Sequence, residues 1–166
     1  MSGNIVLTGF MGTGKSTVGK LLAARLGWRF ADTDALIEER QGQSITAIFA
    51  KQGEAAFRQM EAALARELAG KENLVIATGG KFMLAVENVQ ALAASRVFCL
   101  TAEPEEILVR IMADGAALRP LLAGADPAAT IRRLLTERAT GYGRFPAISG
   151  GGKTPEAIAD EILALI

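Results

Sequence analysis

Five short apolar runs punctuate the chain, at Ile5–Thr8, Trp28–Ala31, Leu74–Ala77, Val97–Leu100 and Phe145–Ser149. Each reads as a buried strand. Between them the apolar positions fall at helical spacing: Val18, Leu21, Leu22 and Leu26 follow the first run, and Ile158, Ile162, Leu163 and Ile166 form one face of a last helix from about Pro155 to Ile166. Strands alternating with helices predict a parallel sheet covered on both faces. One stretch breaks the alternation. Three helical pieces succeed one another without a strand: Asp34–Gln41, Ile45–Gln52 behind a Ser44 cap, and Glu54–Ala69. Such an insertion predicts a small helical subdomain over the active face. Residues 113–126 lack periodicity, carry two glycines and end before Pro127, which opens another helix. A glycine-flanked loop of this kind is a candidate lid.

Composition narrows the function classes. The 166 residues suit one domain with a good-sized core. Basic and acidic residues number 18 each, so the formal charge is zero, which gives no sign of a nucleic-acid or membrane partner. No apolar stretch approaches a membrane span and the N-terminus lacks a signal peptide, so a soluble, cytoplasmic protein is expected. The single cysteine, Cys99, lies inside an apolar run, is expected to be buried and excludes a disulfide framework. Histidine is absent, so any acid–base chemistry rests on carboxylates, lysine, arginine and a bound metal ion.

The stretch Gly9-Phe10-Met11-Gly12-Thr13-Gly14-Lys15-Ser16-Thr17 fits G-x-x-x-x-G-K-[ST], the phosphate-binding P-loop, and lies between a strand and a helix. Its glycines let backbone N–H groups turn inward toward a polyphosphate, and the new helix adds its positive end. Lys15 supplies a positive charge for the β- and γ-phosphates and Ser16 a hydroxyl for Mg²⁺. Asp32 and Asp34 lie just past the second strand, on the face where ligands bind in open parallel sheets. Asp32 is a candidate Mg²⁺ ligand and Asp34 a candidate proton acceptor. An equally good reading makes Asp34 a helix cap and Asp32 a turn residue. Arg58 lies between Glu54 and Glu61 at helical spacing, which also fits plain surface ion pairing. Gly79-Gly80 follow the third strand and suit close ligand approach or a tight turn. Arg119 in the candidate lid suits a transferring phosphoryl group or plain solvation. Arg138 and Tyr142 are open in the same way.

Taken together, these segments resemble the shikimate kinases, small P-loop enzymes of the nucleoside-monophosphate-kinase-like group. The matching pieces are Gly9–Thr17, Asp32-Thr33-Asp34, Gly53-Glu54 with Phe57-Arg58 and Glu61, Gly79-Gly80, and Arg119-Pro120-Leu121-Leu122. The resemblance implies a three-layer α/β/α P-loop kinase fold with a five-stranded parallel sheet in the order 2-3-1-4-5. It implies a single domain over residues 1–166, with an acceptor-binding helical insertion near 33–62 and a lid near 112–125. The implied activity is ATP-dependent phosphorylation of the 3-hydroxyl of shikimate, a step of aromatic amino-acid biosynthesis, by a monomer using Mg²⁺. The implied catalytic residues are Asp34, Lys15 and Arg119. ATP would lie against Gly12, Thr13, Gly14, Lys15, Ser16, Thr17, Arg110, Arg119 and Lys153, and the metal against Ser16 and Asp32. Asp34, Arg58, Gly79, Gly80 and Arg138 would hold shikimate.

The chain departs from the family in three places. Lys81 stands where a third glycine is usual, and its side chain either crowds the acceptor site or points away. The lid is longer than usual. The acidic segment after Tyr142 is replaced by Gly143-Arg144-Phe145-Pro146, and residues 149–153 are glycine-rich. Two rivals follow: a related kinase for another small hydroxy acid such as gluconate, and a nucleotide-binding regulator without transfer activity.

Overall fold

A computed structural model describes residues 3–114, 124 and 126–166. The chain runs β1 (Ile5–Thr8), α1 (Lys15–Leu26), β2 (Arg29–Asp32), α2 (Thr33–Gln41), α3 (Ile45–Gln52), α4 (Glu54–Ala69) and β3 (Leu74–Ala77). A 3-10 turn (Phe82–Leu84), α5 (Val86–Ala91), β4 (Arg96–Thr101), α6 (Pro104–Ala113), α7 (Pro127–Tyr142), β5 (Ala147–Ser149) and α8 (Pro155–Leu165) follow. The strands form one parallel sheet in the order β2-β3-β1-β4-β5, as the resemblance implies.

The pleat of β1 sorts the layers. Ile5 and Leu7 face one side and pack with Val18 and Leu22 of α1 and with Ile158 and Ile162 of α8. Val6 faces the other side, toward Ile76 and toward Leu64 and Leu68 of α4. Because both faces are covered, β1 and β3 are buried at every position rather than alternating, and all but Thr8, at the end of β1, are apolar. A third cluster joins Phe10 of the P-loop to α6 and α7 through Ile107, Ile111, Ile131 and Leu134. Cys99 is buried in the central part of β4, and burial pushes its thiol up to about 11.

Element boundaries move for local reasons. β2 starts at Arg29 rather than Trp28, because the Trp28 N–H donates to Ala23 O and closes the end of α1 around Gly27, at φ 67°. β5 starts at Ala147 rather than Phe145, behind Pro146, which has no N–H and pairs only through its carbonyl, to Cys99 N. α1 starts at Lys15 rather than Val18, since the last residues of the P-loop form its first turn. α2 starts at Thr33, with Asp32 and not Asp34 as its cap: Asp32 Oδ1 accepts from Ala35 N at 3.1 Å. α3 and α4 match the sequence reading, Ser44 capping α3 through Ala47 N.

Candidate active site

The P-loop crosses the carboxyl end of the sheet. Gly9 leaves β1 at φ 131°, and a Cβ there would overlap the Leu100 carbonyl of β4, so only glycine lets the loop lie this close. Gly14, at φ 89°, turns the chain into α1. The first-turn N–H groups of that helix have no intrahelical acceptors and face the loop with the positive end of the dipole. Thr13 is buried and its hydroxyl donates to Phe10 O at 2.8 Å, bracing the loop. Lys15 Nζ donates to the carbonyls of Gly9 and Phe10, both at 2.7 Å, which holds its ammonium across the loop mouth. Gly12 lies in the loop, and Thr17, which is exposed, in the first turn of α1.

Ser16 Oγ donates to Asp32 Oδ2 at 2.8 Å. Asp32 therefore caps α2 with one oxygen and faces the P-loop with the other. Mg²⁺ prefers oxygen ligands, keeps several waters and is usually held by one or two protein groups plus substrate phosphates. A hydroxyl and a carboxylate in hydrogen-bond contact at the mouth of a phosphate loop fit that donor set.

The second half of the site surrounds the turn after β3, where Phe82 N donates to Gly79 O at 3.0 Å. Neither Gly79 nor Gly80 has a positive φ. They are glycines for reasons of space. A Cβ on Gly79 would stand 2.7 Å from Asp34 Oδ1, and one on Gly80 3.0 Å from Arg138 Nη1. Lys81 sits at φ −103°, ψ −2°, a conformation open to any residue, so the backbone does not require glycine here. Its side chain runs outward to Glu54, with Nζ 3.5 Å from Oε1. That settles the crowding question: Lys81 points toward α4, at the protein surface.

Glu54 and Glu61 hold Arg58. Glu54 Oε1 accepts from Nε and Nη2, at 3.3 and 3.1 Å, and Glu61 Oε1 accepts from Nη1 at 2.6 Å. A guanidinium has five N–H donors, so one remains on each terminal nitrogen, enough for a carboxylate. The rings of Phe57 and Phe49 lie 5.2 and 5.9 Å from the guanidinium. Glu61 is 1% exposed, and burial pushes its carboxyl up to about 6 despite the pull of Arg58. The expected surface pairing is thus half buried. Glu54 is exposed, and Arg58 and Lys81 hold its carboxyl below the ordinary range.

Arg138 is 6% exposed, lies 5.2 Å over the Phe10 ring, and has an Nε without a hydrogen-bond partner. On the nucleotide side, Arg110 Nη1 donates to Gly12 O at 3.2 Å. Arg110 also lines an open cleft of about 380 Å³ with Glu105, Glu106, Val109, Gly152 and Lys153. Lys153 pairs with Glu161 at 2.6 Å across that rim. Arg119 and most of the candidate lid lie outside the described residues. The fold thus gathers Ser16 with Asp32, Asp34 with Gly79, Arg138 with Gly80 and Phe10, and Arg110 with Gly12. The aromatic bed of Arg58 escaped the sequence reading, although Phe57 adjoins Arg58 in sequence. So did the Lys81–Glu54 pair, which no local spacing signals.

A shikimate kinase family model matches residues 11–166. A shikimate kinase of Geobacter sulfurreducens is 46% identical over 98% of this chain and 90% of its own length. One from Pelotomaculum thermopropionicum is 52% identical over 81% of this chain and 78% of its own. Among solved structures, the shikimate kinase of Acinetobacter baumannii in complex with shikimate superposes with a TM-score of 0.91 and 37% identity, covering 98% of this chain and 92% of that one.

Proposed function

The chain belongs to the shikimate kinase family, and from that premise we propose that it transfers the γ-phosphoryl group of ATP to the 3-hydroxyl of shikimate. The observation that supports this most is the turn after β3, where the Asp34 carboxylate and the Arg138 guanidinium crowd two successive glycines beside the P-loop. A proton acceptor and a carboxylate binder on opposite sides of one small turn suit an acceptor that carries both an alcohol and an acid.

In this reading the P-loop amides and Lys15 cradle the phosphates, and Arg110 and Lys153 flank the rest of the nucleotide. Ser16 and Asp32 hold Mg²⁺, which neutralises charge on the phosphate oxygens when bound. Arg58 and Arg138 take the carboxylate of shikimate, with Gly79 and Gly80 leaving room for the ring. Asp34 orients the 3-hydroxyl. The hydroxyl oxygen bonds to the γ-phosphorus, the bond to the β–γ bridging oxygen breaks, and ADP leaves. The hydroxyl proton passes to Asp34 and on to solvent. Arg119 keeps the role that the resemblance implies, on the transferring group. The stretch 33–62 serves as the acceptor-binding insertion and 112–125 as the lid, within a single domain. The enzyme works as a cytoplasmic monomer. Among the described residues the large apolar side chains more than half exposed are Val86, Val109, Met112 and Leu165, drawn from three separate helices. No helix among those residues is long and apolar enough to cross a membrane.

The gluconate rival loses its main support, because Lys81 lies on Glu54. A coupled ADP-release assay with and without shikimate tests the proposal. Turnover that requires shikimate and yields its 3-phosphate is expected. ADP release indifferent to shikimate would overturn it.

A further inference from the structure

Tyr142 ends α7 one helical turn beyond Arg138 and is 8% exposed. Its hydroxyl donates to Gly80 O at 2.6 Å, a contact between segments far apart in sequence. The same oxygen lies 3.5 Å from Arg138 Nη1. Burial raises the phenol above its ordinary range, so it stays a neutral donor at working pH. Two features bring it there. Gly141 lets α7 press on Leu84 of the 3-10 turn, where a Cβ would overlap the leucine side chain. Among the described residues no backbone N–H outside the regular elements donates to the Gly80 carbonyl, so the phenol satisfies this backbone acceptor. Arg138 is packed against this arrangement from the other side by Phe10, which leaves its Nε unpaired and buried.

We propose that Tyr142 is a positioning residue for the acceptor: its hydroxyl ties the Gly79–Phe82 turn to α7, so that Arg138 and the glycine turn present one rigid carboxylate-binding edge. This inference rests on the phosphotransfer reading above. The hydroxyl touches neither substrate and acts through Gly80 and Arg138. The loss of one neutral hydrogen bond that holds a binding geometry corresponds to roughly a five- to ten-fold change in apparent affinity.

Tyr142→Phe keeps the ring and removes only the hydroxyl. The KM for shikimate should rise roughly five- to ten-fold, while kcat and the KM for ATP change by less than about two-fold. In an Arg138→Lys background the same substitution should add little, since the residue through which Tyr142 acts is already altered. Tyr142 is the only tyrosine in the chain. Biosynthetic 3-fluorotyrosine therefore gives a single ¹⁹F resonance, which keeps the question answerable should the phenylalanine variant fail to fold. That resonance should shift saturably with shikimate and hardly at all with ADP alone. An unchanged shikimate KM, equal damage to both substrates, or a resonance blind to shikimate would overturn the inference while wild-type turnover leaves the phosphotransfer reading intact. A wild-type chain without shikimate-dependent turnover would overturn that reading first, and this one with it.

Discussion

The Asp34 carboxylate fills the space that a side chain at residue 79 would need. An added Cβ on Gly79 would lie 2.7 Å from Asp34 Oδ1. The first turn of α2 and the turn after β3 are thereby fitted to each other at one point, beside the Thr33 hydroxyl, which accepts from Gly79 N at 3.0 Å.

Asp34→Asn leaves the shape of this contact and removes the base. The expected result is a fall in kcat of roughly 10²–10⁴-fold, with ADP affinity nearly unchanged by calorimetry. An unchanged kcat would leave Asp34 as a structural first-turn residue of α2.

Gly79→Ala asks the complementary question. The clashing atom is the tip of a side chain, so Asp34 swings away and the fold survives. A displacement on this scale at a reacting group corresponds to roughly a hundred-fold loss in kcat/KM for shikimate. Thermal melting should move little. Full activity would show that the Asp34 geometry is irrelevant to transfer.

Ser16→Ala removes the hydroxyl that faces Asp32 across the P-loop mouth. The Mg²⁺ concentration for half-maximal turnover should rise roughly ten- to a hundred-fold. An unaltered metal dependence would take Ser16 out of the metal site.

Much of this architecture is legible in the chain. The strands are legible because both faces of a parallel sheet are covered, which makes β3 uniformly apolar and β1 apolar up to Thr8. The P-loop is legible because its chemistry is local. The pairing of Glu54 with Lys81, and of Tyr142 with Gly80, depends on how α4 and α7 meet the turn after β3, and no periodicity encodes that. The cap of α2 was ambiguous for a different reason. Asp32 and Asp34 are both good caps, and the choice was made by the extension of β2 through Asp32, which pairs with Ala77.

Lys81→Gly tests whether the odd residue in the turn alters the acceptor. Its partner is an exposed carboxylate, and such pairs contribute about 0–1 kcal/mol. The KM for shikimate should change less than about five-fold, with no new activity toward gluconate. A switch in acceptor preference would make Lys81 a specificity residue.

Glu61 predicts a pH dependence of stability. Its carboxyl titrates near 6 in the folded protein against an ordinary value of 4.5, so the folded state binds the proton more tightly. The associated stabilisation is complete below 4.5 and is lost as pH rises through about 6, an amount of about 2 kcal/mol. Urea unfolding across this window should show the wild type losing stability relative to Glu61→Gln, which has no carboxyl to titrate. Parallel curves for the two proteins would contradict the shift.

The convergence of acceptor groups beside the phosphate loop is tested most directly by a crystal structure with ADP, Mg²⁺ and shikimate bound. The shikimate carboxylate should lie within hydrogen-bond reach of Arg58 and Arg138, with the 3-hydroxyl about 3 Å from Asp34 and turned toward the P-loop. A shikimate molecule bound elsewhere, or with its carboxylate remote from both arginines, would contradict the account.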